Sequence, residues 1–341
     1  MTEDESVPAA SLSGLSRAPH SHERNPGVPF DRSPLGEGGL EALRVNTSAA
    51  ERRAATLGGR RSVKKAHQAA WYLKAVTLID LTTLAGDDTP GRVRRLCAKA
   101  RRPVRRDILE ALGVEHLPIR TAAVCVYHGM IETAVEALQG TDIPVCAVSA
   151  GFPAGLNPFR ERLAEIRASV AAGASEIDIV ITRAHVLSGR WRALYDEVRA
   201  FREACGDAHL KAILATGELG SLRNVARASW VAMMAGADFI KTSTGKESVN
   251  ATLPVGLVMA RTIRDYHRAT GYRVGFKPAG GISKAKQSLE WLALMKEELG
   301  NEWLSPELFR IGASSLLGDL ERQLEHHATG RYSASFRHPM A

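Results

Sequence analysis

The chain has few cysteines and few aromatics: four Cys in 341 residues, with Phe, Trp and Tyr at 6%. Cys97, Cys125, Cys146 and Cys205 are widely spaced, with no CxxC pair and no histidines at metal-ligand spacing. That pattern excludes a disulfide framework or a zinc ribbon and leaves four free thiols and no metal. No apolar run approaches the roughly 20 residues that span a bilayer. The N-terminal MTEDESVPAA lacks the basic and apolar regions of a signal peptide, so a soluble, cytoplasmic protein without a membrane partner is expected. Also missing is a GxGxxG after the first apolar run, which argues against an open, doubly wound dinucleotide-binding sheet.

What is present begins with charge. The formal net charge is +8, and Arg92 to Arg106, RVRRLCAKARRPVRR, holds eight Arg or Lys residues. A nucleic-acid reading needs such charge focused and interleaved with aromatics, and no aromatic occurs in the run. A solvated basic helix and loop is the better reading, with attraction of anionic substrates as a side effect.

The character of the chain changes near residue 65. Residues 1 to about 60 are rich in Ser, Gly, Pro and Arg without a sustained apolar period, so residues 1–62 read as a mostly disordered extension with room for a short helix around Leu40 to Leu57. Beyond it, eight short β-branched apolar runs recur: AVTLID (75–80), AAVCVY (122–127), PVCAVS (144–149), EIDIVI (176–181), LKAILA (210–215), DFIKT (238–242), RVGFK (273–277) and LFRIG (308–312). Helical segments such as 157–173, 190–206, 221–236 and 254–271 separate them, several closing on a glycine. Eight strand–helix alternations over about 250 residues predict an α/β fold of the TIM (β/α)8 barrel type over residues 63–332, with 333–341 as a flexible tail.

In a barrel the polar residues at the carboxyl ends of the strands form the site. These are Asp80, Cys125, Tyr127, Asp178, Lys211, Lys241 and Lys277. Lys241 follows an apolar triplet in ADFIKTSTGK, and an ammonium drawn into an apolar interior turns outward, pairs with a carboxylate or loses its proton. A neutral amine near a second cation can attack a carbonyl to form a Schiff base; from the residues alone, nucleophile and ion-paired structural lysine are equal readings. Asp178 shares a strand face with Glu176 and Val180, and a carboxylate inside a barrel needs partners such as Lys241 and Lys277.

Eight motifs in order, LIDLTTLAGDDT (78–89), TAAVCVY (121–127), AGFPAG (150–155), SEIDIVI (175–181), HLKAILATGEL (209–219), ADFIKTSTGKESVNAT (237–252), VGFKPAGGIS (274–283) and FRIGASSLL (309–317), resemble the deoxyribose-phosphate aldolases, in the longer, animal-type form. The resemblance covers roughly residues 65 to 332. It implies a class I aldolase of deoxynucleoside catabolism on a TIM barrel, reversibly cleaving 2-deoxy-D-ribose 5-phosphate to D-glyceraldehyde 3-phosphate and acetaldehyde, without a metal or other cofactor. It assigns Lys241 as the Schiff-base nucleophile, Lys277 as the second cation and Asp178 as the group that moves protons through water. Asp80 is expected to orient Lys277, Lys211 to line the pocket, and Cys125 to be a pocket residue outside turnover. Carried over from the family, Tyr332 near the chain end would assist proton transfer.

The phosphate is expected on small-residue segments after strands 6, 7 and 8: Thr244, Gly245 and Lys246; Gly280 and Gly281; and Gly312 with Ser314 and Ser315. Many relatives carry an arginine after GGI or GGV, whereas Ser283 and Lys284 stand here, so one hydrogen bond or a point charge replaces a guanidinium fork. The mechanism so implied runs from attack of Lys241 on the C1 aldehyde to an iminium, then cleavage of C2–C3 as the C3 hydroxyl loses its proton, leaving an enamine that is protonated and hydrolysed. A homodimer is expected, as is common among soluble enzymes. The rival readings are another Schiff-base sugar-phosphate aldolase or transaldolase, and a noncatalytic barrel that binds nucleic acid.

Overall fold

In the computed structural model, residues 23–36, 38–60 and 63–339 are described. Eight parallel strands form one sheet: Ile79–Thr82 (β1), Ala123–Val126 (β2), Val145–Ser149 (β3), Glu176–Val180 (β4), His209–Ile213 (β5), Phe239–Lys241 (β6), Gly275–Lys277 (β7) and Ile311–Ala313 (β8). Their order is β7-β6-β5-β4-β3-β2-β1-β8, and parallel bridges from Phe276 to Phe309 and from Ala279 to Gly312 close it into a TIM-like barrel. The strands are short and β-branched because each buries one face against helices. Ile177 and Ile179 of β4 join the large core between sheet and helices, while Glu176 and Asp178 alternate with them to face the barrel interior.

The connecting helices carry local start and stop signals. Ser221 accepts the Asn224 N–H at the start of Leu222–Met234, Thr89 and Pro90 open Pro90–Arg101, and Gly271 ends Leu253–Thr270 at φ +81°. One strand boundary differs from expectation. Ala75 to Thr77, read as the start of the first strand, finish the helix Lys65–Thr77, whose Ala-rich sequence packs against the helices Ala285–Glu298 and Ser315–Thr329.

Two terminal expectations are corrected. The part of the extension that falls on residues 1–22 lies outside the described residues, but from residue 23 the chain is docked on the outer helices. Asn25 is buried, its backbone N–H donating to Asp238 (3.0 Å) and its amide to the carbonyls of Met233 (2.7 Å) and Ala237 (3.0 Å). The helix Thr47–Ala55 buries Ala50 and Ala54 on the side facing the helix Leu253–Thr270. This docking combines hydrogen bonds from Asn25 and the backbone with small alanines, the buried Leu57, partly buried Val28, Phe30, Leu40 and Leu43, and ion pairs of Glu41 and Arg53, a scatter that no single apolar period announces.

The described part of the tail, residues 333–339, is also held rather than flexible. His338 is buried, with Nδ1 3.1 Å from Glu321 and Nε2 2.6 Å from Glu325.

Candidate active site

Register brings the predicted residues together. Lys241 of β6 lies opposite Lys277 of β7, and Asp178 of β4 lies opposite Lys211 of β5, so side chains at equal height on neighbouring strands share the barrel interior. Asp178 is the hub. Its Oδ2 lies 2.7 Å from the Lys241 amine and 2.8 Å from the Lys277 amine, and its Oδ1 lies 3.1 Å from the Lys211 amine. Burial alone would raise the Asp178 carboxyl, but Lys211, Lys241 and Lys277 together hold it well below the usual carboxylate range.

Asp80 lies against Lys277. It meets that amine at 2.6 Å, is itself buried, and is held low against its burial by Lys277 and Arg310. Desolvation works against the Lys277 ammonium, yet Asp178 and Asp80 push it well above the ordinary lysine range, so it persists as a cation beside Lys241. Lys211 departs from expectation. It is fully buried beneath the pocket and touches Glu176, Asp178 and the Cys146 sulfur (3.3 Å), with the carboxylates raising it. Its place in the barrel interior makes it a counter-ion and not a wall of the cavity. Cys125 likewise sits in a small apolar cluster with Cys146 and Val148.

Above Lys241 opens a cavity of about 400 Å³, within the size range of small-ligand sites. Thr244, Gly245, Lys246, Gly280, Gly281, Ser283, Gly312, Ser314 and Ser315 all line it. Several of their polar groups are already engaged: Glu247 accepts from the Thr244 hydroxyl (2.7 Å) and the Gly245 N–H (3.1 Å), and the Ser283 N–H donates to Gln287 (2.9 Å). Lys246 reaches across the mouth to the Leu84 carbonyl, 3.1 Å away. Ser315 begins the 15-residue helix Ser315–Thr329, whose first-turn N–H groups lack intrahelical partners. Gly312 is required by close approach. A Cβ there would stand 2.8 Å from that of Ala279 and 3.3 Å from Lys277 Cε.

Tyr332 is not brought to the site. The helix Ser315–Thr329 carries the chain from the carboxyl end of β8 back to the opposite end of the barrel, where Tyr332 stacks on His326 with ring centroids 4.4 Å apart and stays 85% exposed.

Sequence reasoning missed four contributions. Glu247 holds the loop after β6, and Thr82 to Ala85 form the cavity wall after β1. Glu176 and Arg310 lie under the lysines, with Arg310 donating to Asp80 (2.7 Å) and to Glu176 (2.8 Å). The signal for Glu176 was its shared strand face with Asp178; Arg310 was hidden inside the apolar run LFRIG.

Comparison with known proteins gives the family. The DeoC/LacD family aldolase model matches residues 74–319. The chain belongs to the DeoC/LacD aldolase family. It is 61% identical to the human deoxyribose-phosphate aldolase over 304 residues, covering 89% of this chain and 96% of that protein. The mouse deoxyribose-phosphate aldolase is 62% identical over the same coverage. Among solved structures, the deoxyribose phosphate aldolase of Aeropyrum pernix, described as a tetramer, shares the fold with a TM-score of 0.56 at 20% identity, covering 82% of this chain and 99% of that one. As a member of this aldolase family, the chain is an enzyme acting on small molecules, and among its described residues no helix is long and apolar enough to cross a membrane.

Proposed function

We infer that this aldolase reversibly cleaves 2-deoxy-D-ribose 5-phosphate to D-glyceraldehyde 3-phosphate and acetaldehyde through a Schiff base on Lys241. The observation that carries the reading is one carboxylate oxygen, Asp178 Oδ2, shared at 2.7 and 2.8 Å by two lysine amines at the floor of a cavity rimmed by small-residue loops. The high identity to the curated relatives supports the same substrate.

Lys241 attacks C1 of the open-chain sugar. Asp178, resting as a carboxylate, takes the proton that the attacking amine sheds, and Lys277, resting as a cation, donates the one that lets water leave the carbinolamine, each regaining its resting state over the cycle. The iminium then draws electrons from C2–C3. The bond breaks as the C3 hydroxyl loses its proton, glyceraldehyde 3-phosphate departs, and the enamine takes a proton at C2 before hydrolysis releases acetaldehyde. Phosphate is held between the Gly280–Gly281 turn, the start of the helix Ser315–Thr329, and Lys246, with Ser283 supplying a hydroxyl.

No metal takes part. Two buried triads, Cys125 with Cys146 and Asp178, and Asp80 with Cys146 and Glu176, have ligand atoms within 4.8 Å of one another. Every carboxylate in them is already engaged by lysine or arginine, and a divalent ion would join those cations in a low-dielectric interior. A nucleic-acid role has little support, because the basic run is largely engaged locally: Arg92 with Asp87 and Asp88, Lys99 with Glu321, Arg105 with Asp107 and Arg106 with Glu110. A cytoplasmic homodimer completes the reading.

Borohydride reduction with acetaldehyde, followed by peptide mass mapping, tests it. A two-carbon adduct on Lys241 is expected. An adduct formed with a ketose phosphate but not with acetaldehyde would move the substrate to another aldolase or transaldolase, and no adduct at all would overturn the Schiff-base chemistry.

A further inference from the structure

The loop after β6 carries Gly245 among the expected phosphate contacts, yet its main-chain donors are already committed. Glu247 is 8% exposed, and its carboxylate accepts from the Thr244 hydroxyl (2.7 Å), the Thr244 N–H (3.0 Å) and the Gly245 N–H (3.1 Å). The next amide, that of Lys246, donates to the Thr244 hydroxyl oxygen at 3.0 Å. Three consecutive main-chain donors are thus spent inside the loop. Thr244, Gly245 and Lys246 line the cavity, whereas Glu247, at which the first two amides point, does not.

Every hydrogen bond to that carboxylate comes from its own loop, and among the described residues no lysine, arginine or histidine lies within ion-pair distance of it. A buried carboxylate is costly unless hydrogen bonds satisfy it, so the loop and its side chain hold each other in one shape. The brace extends to the turn after β7. Asn250 donates its amide to the Glu247 carbonyl at 2.8 Å, and its side chain fills the space beside Gly280, where an added Cβ would meet Asn250 Cγ at 2.6 Å. On the other side, Gly217 in the loop after β5 makes room for the Val249 carbonyl, which a Cβ there would strike. Lys246 stays exposed, and its ammonium has donors to spare after reaching the Leu84 carbonyl.

We propose that Glu247 is a positioning residue for the phosphate of the substrate. It withdraws the loop's amides from the cavity and fixes the loop so that it offers the phosphate one group, the Lys246 ammonium, while the Asn250 link sets the Gly280–Gly281 turn at the same time. Main-chain donors for the phosphate then come from the loops after β7 and β8. The proposal rests on the sugar-phosphate reading above and gives a role to a carboxylate that touches no substrate. An acidic group near a phosphate site repels the dianion; here the two amides and the hydroxyl aimed at it blunt that repulsion, and the order it imposes on the loop outweighs the remainder.

The test compares steady-state cleavage of 2-deoxyribose 5-phosphate and of unphosphorylated 2-deoxyribose by wild type, Glu247→Gln, Glu247→Ala and Asn250→Ala, with inorganic phosphate as competitive inhibitor. Glu247→Ala should raise KM for the phosphorylated sugar about ten-fold with kcat within about three-fold, and should weaken inhibition by inorganic phosphate by a similar factor. Glu247→Gln, which keeps one acceptor oxygen, should fall between Ala and wild type, and Asn250→Ala should move KM in the same direction. The ratio of kcat/KM for phosphorylated over unphosphorylated sugar should shrink as KM grows. A merely structural role would lower kcat/KM for both sugars alike, and an unmoved ratio overturns the proposal. So does a fall in KM or tighter phosphate inhibition, which would mean that Glu247 competes with phosphate for the Thr244 and Gly245 amides. If Glu247→Ala does not fold, the other two variants decide by the same ratio. A wild type that cleaves both sugars equally well would defeat the sugar-phosphate reading itself; a wild-type preference that every variant retains would defeat this inference alone.

Discussion

This molecule holds two separate buried charge clusters. One is the barrel cluster around Asp178, mounted on strands; the other lies under the C-terminal tail, mounted on the helix Ser315–Thr329. In the second, Glu321 takes Lys99 (2.6 Å) and the Arg105 N–H (2.9 Å), Glu325 takes Arg337 (2.9 Å), and the His338 ring sits between the two carboxylates. Both bury carboxylates against cations. The difference is that the barrel cluster presents one amine, Lys241, to a cavity, whereas the tail cluster closes on itself and fastens a segment near the chain end. Burial of charge is therefore common to catalysis and to structure; what separates them is access to a cavity.

The comparison breaks most visibly at Lys241. Lys241→Ala should reduce cleavage on the order of 10⁴-fold or more in steady-state assays and abolish borohydride trapping, with the fold retained in circular dichroism. Residual trapping at another lysine would instead place the nucleophile elsewhere. Asp178→Asn should cost on the order of 10²- to 10⁴-fold in kcat, because the carboxylate moves protons as well as holding the lysines. It should also alter acid stability. The folded carboxyls of Asp178 and Asp80 lie below their unfolded values, so their stabilisation is present above about pH 4 and is lost as pH falls through the folded values. Denaturation followed from pH 6 to pH 2 should therefore show a shallower acid loss in Asp178→Asn than in wild type.

At the other cluster the effects should fall on stability alone. His338→Ala removes a buried partner of two carboxylates and should lower the melting temperature by roughly 2–6 °C while kcat/KM is unchanged. Smallest of all is Tyr332→Phe, which should leave kcat/KM within about two-fold, since a hydroxyl on an 85% exposed ring at the far end of the barrel meets no reacting atom. A large loss there would mean that the tail leaves its berth during turnover.

Much of this arrangement is written in local sequence. Eight apolar runs spaced by amphipathic segments determine a barrel, because period two and period 3.6 can bury their apolar faces together in few ways. The alternation within EIDIVI determines that Asp178 and Glu176 point inward, and the position of Lys241 and Lys277 at strand ends determines that they face the site. What tertiary structure alone decided is partnership. The Arg310–Asp80 pair spans 230 positions of sequence and the Lys277–Asp178 pair spans 99. Such pairs depend on strand register and barrel closure, which no local pattern carries. The docking of the described residues 23–36 and 38–60, by Asn25 hydrogen bonds, scattered apolar contacts and ion pairs, and the return of Tyr332 to the far face belong to the same class. A chain end goes where its last helix and its buried ion pairs take it, and both are properties of the closed barrel.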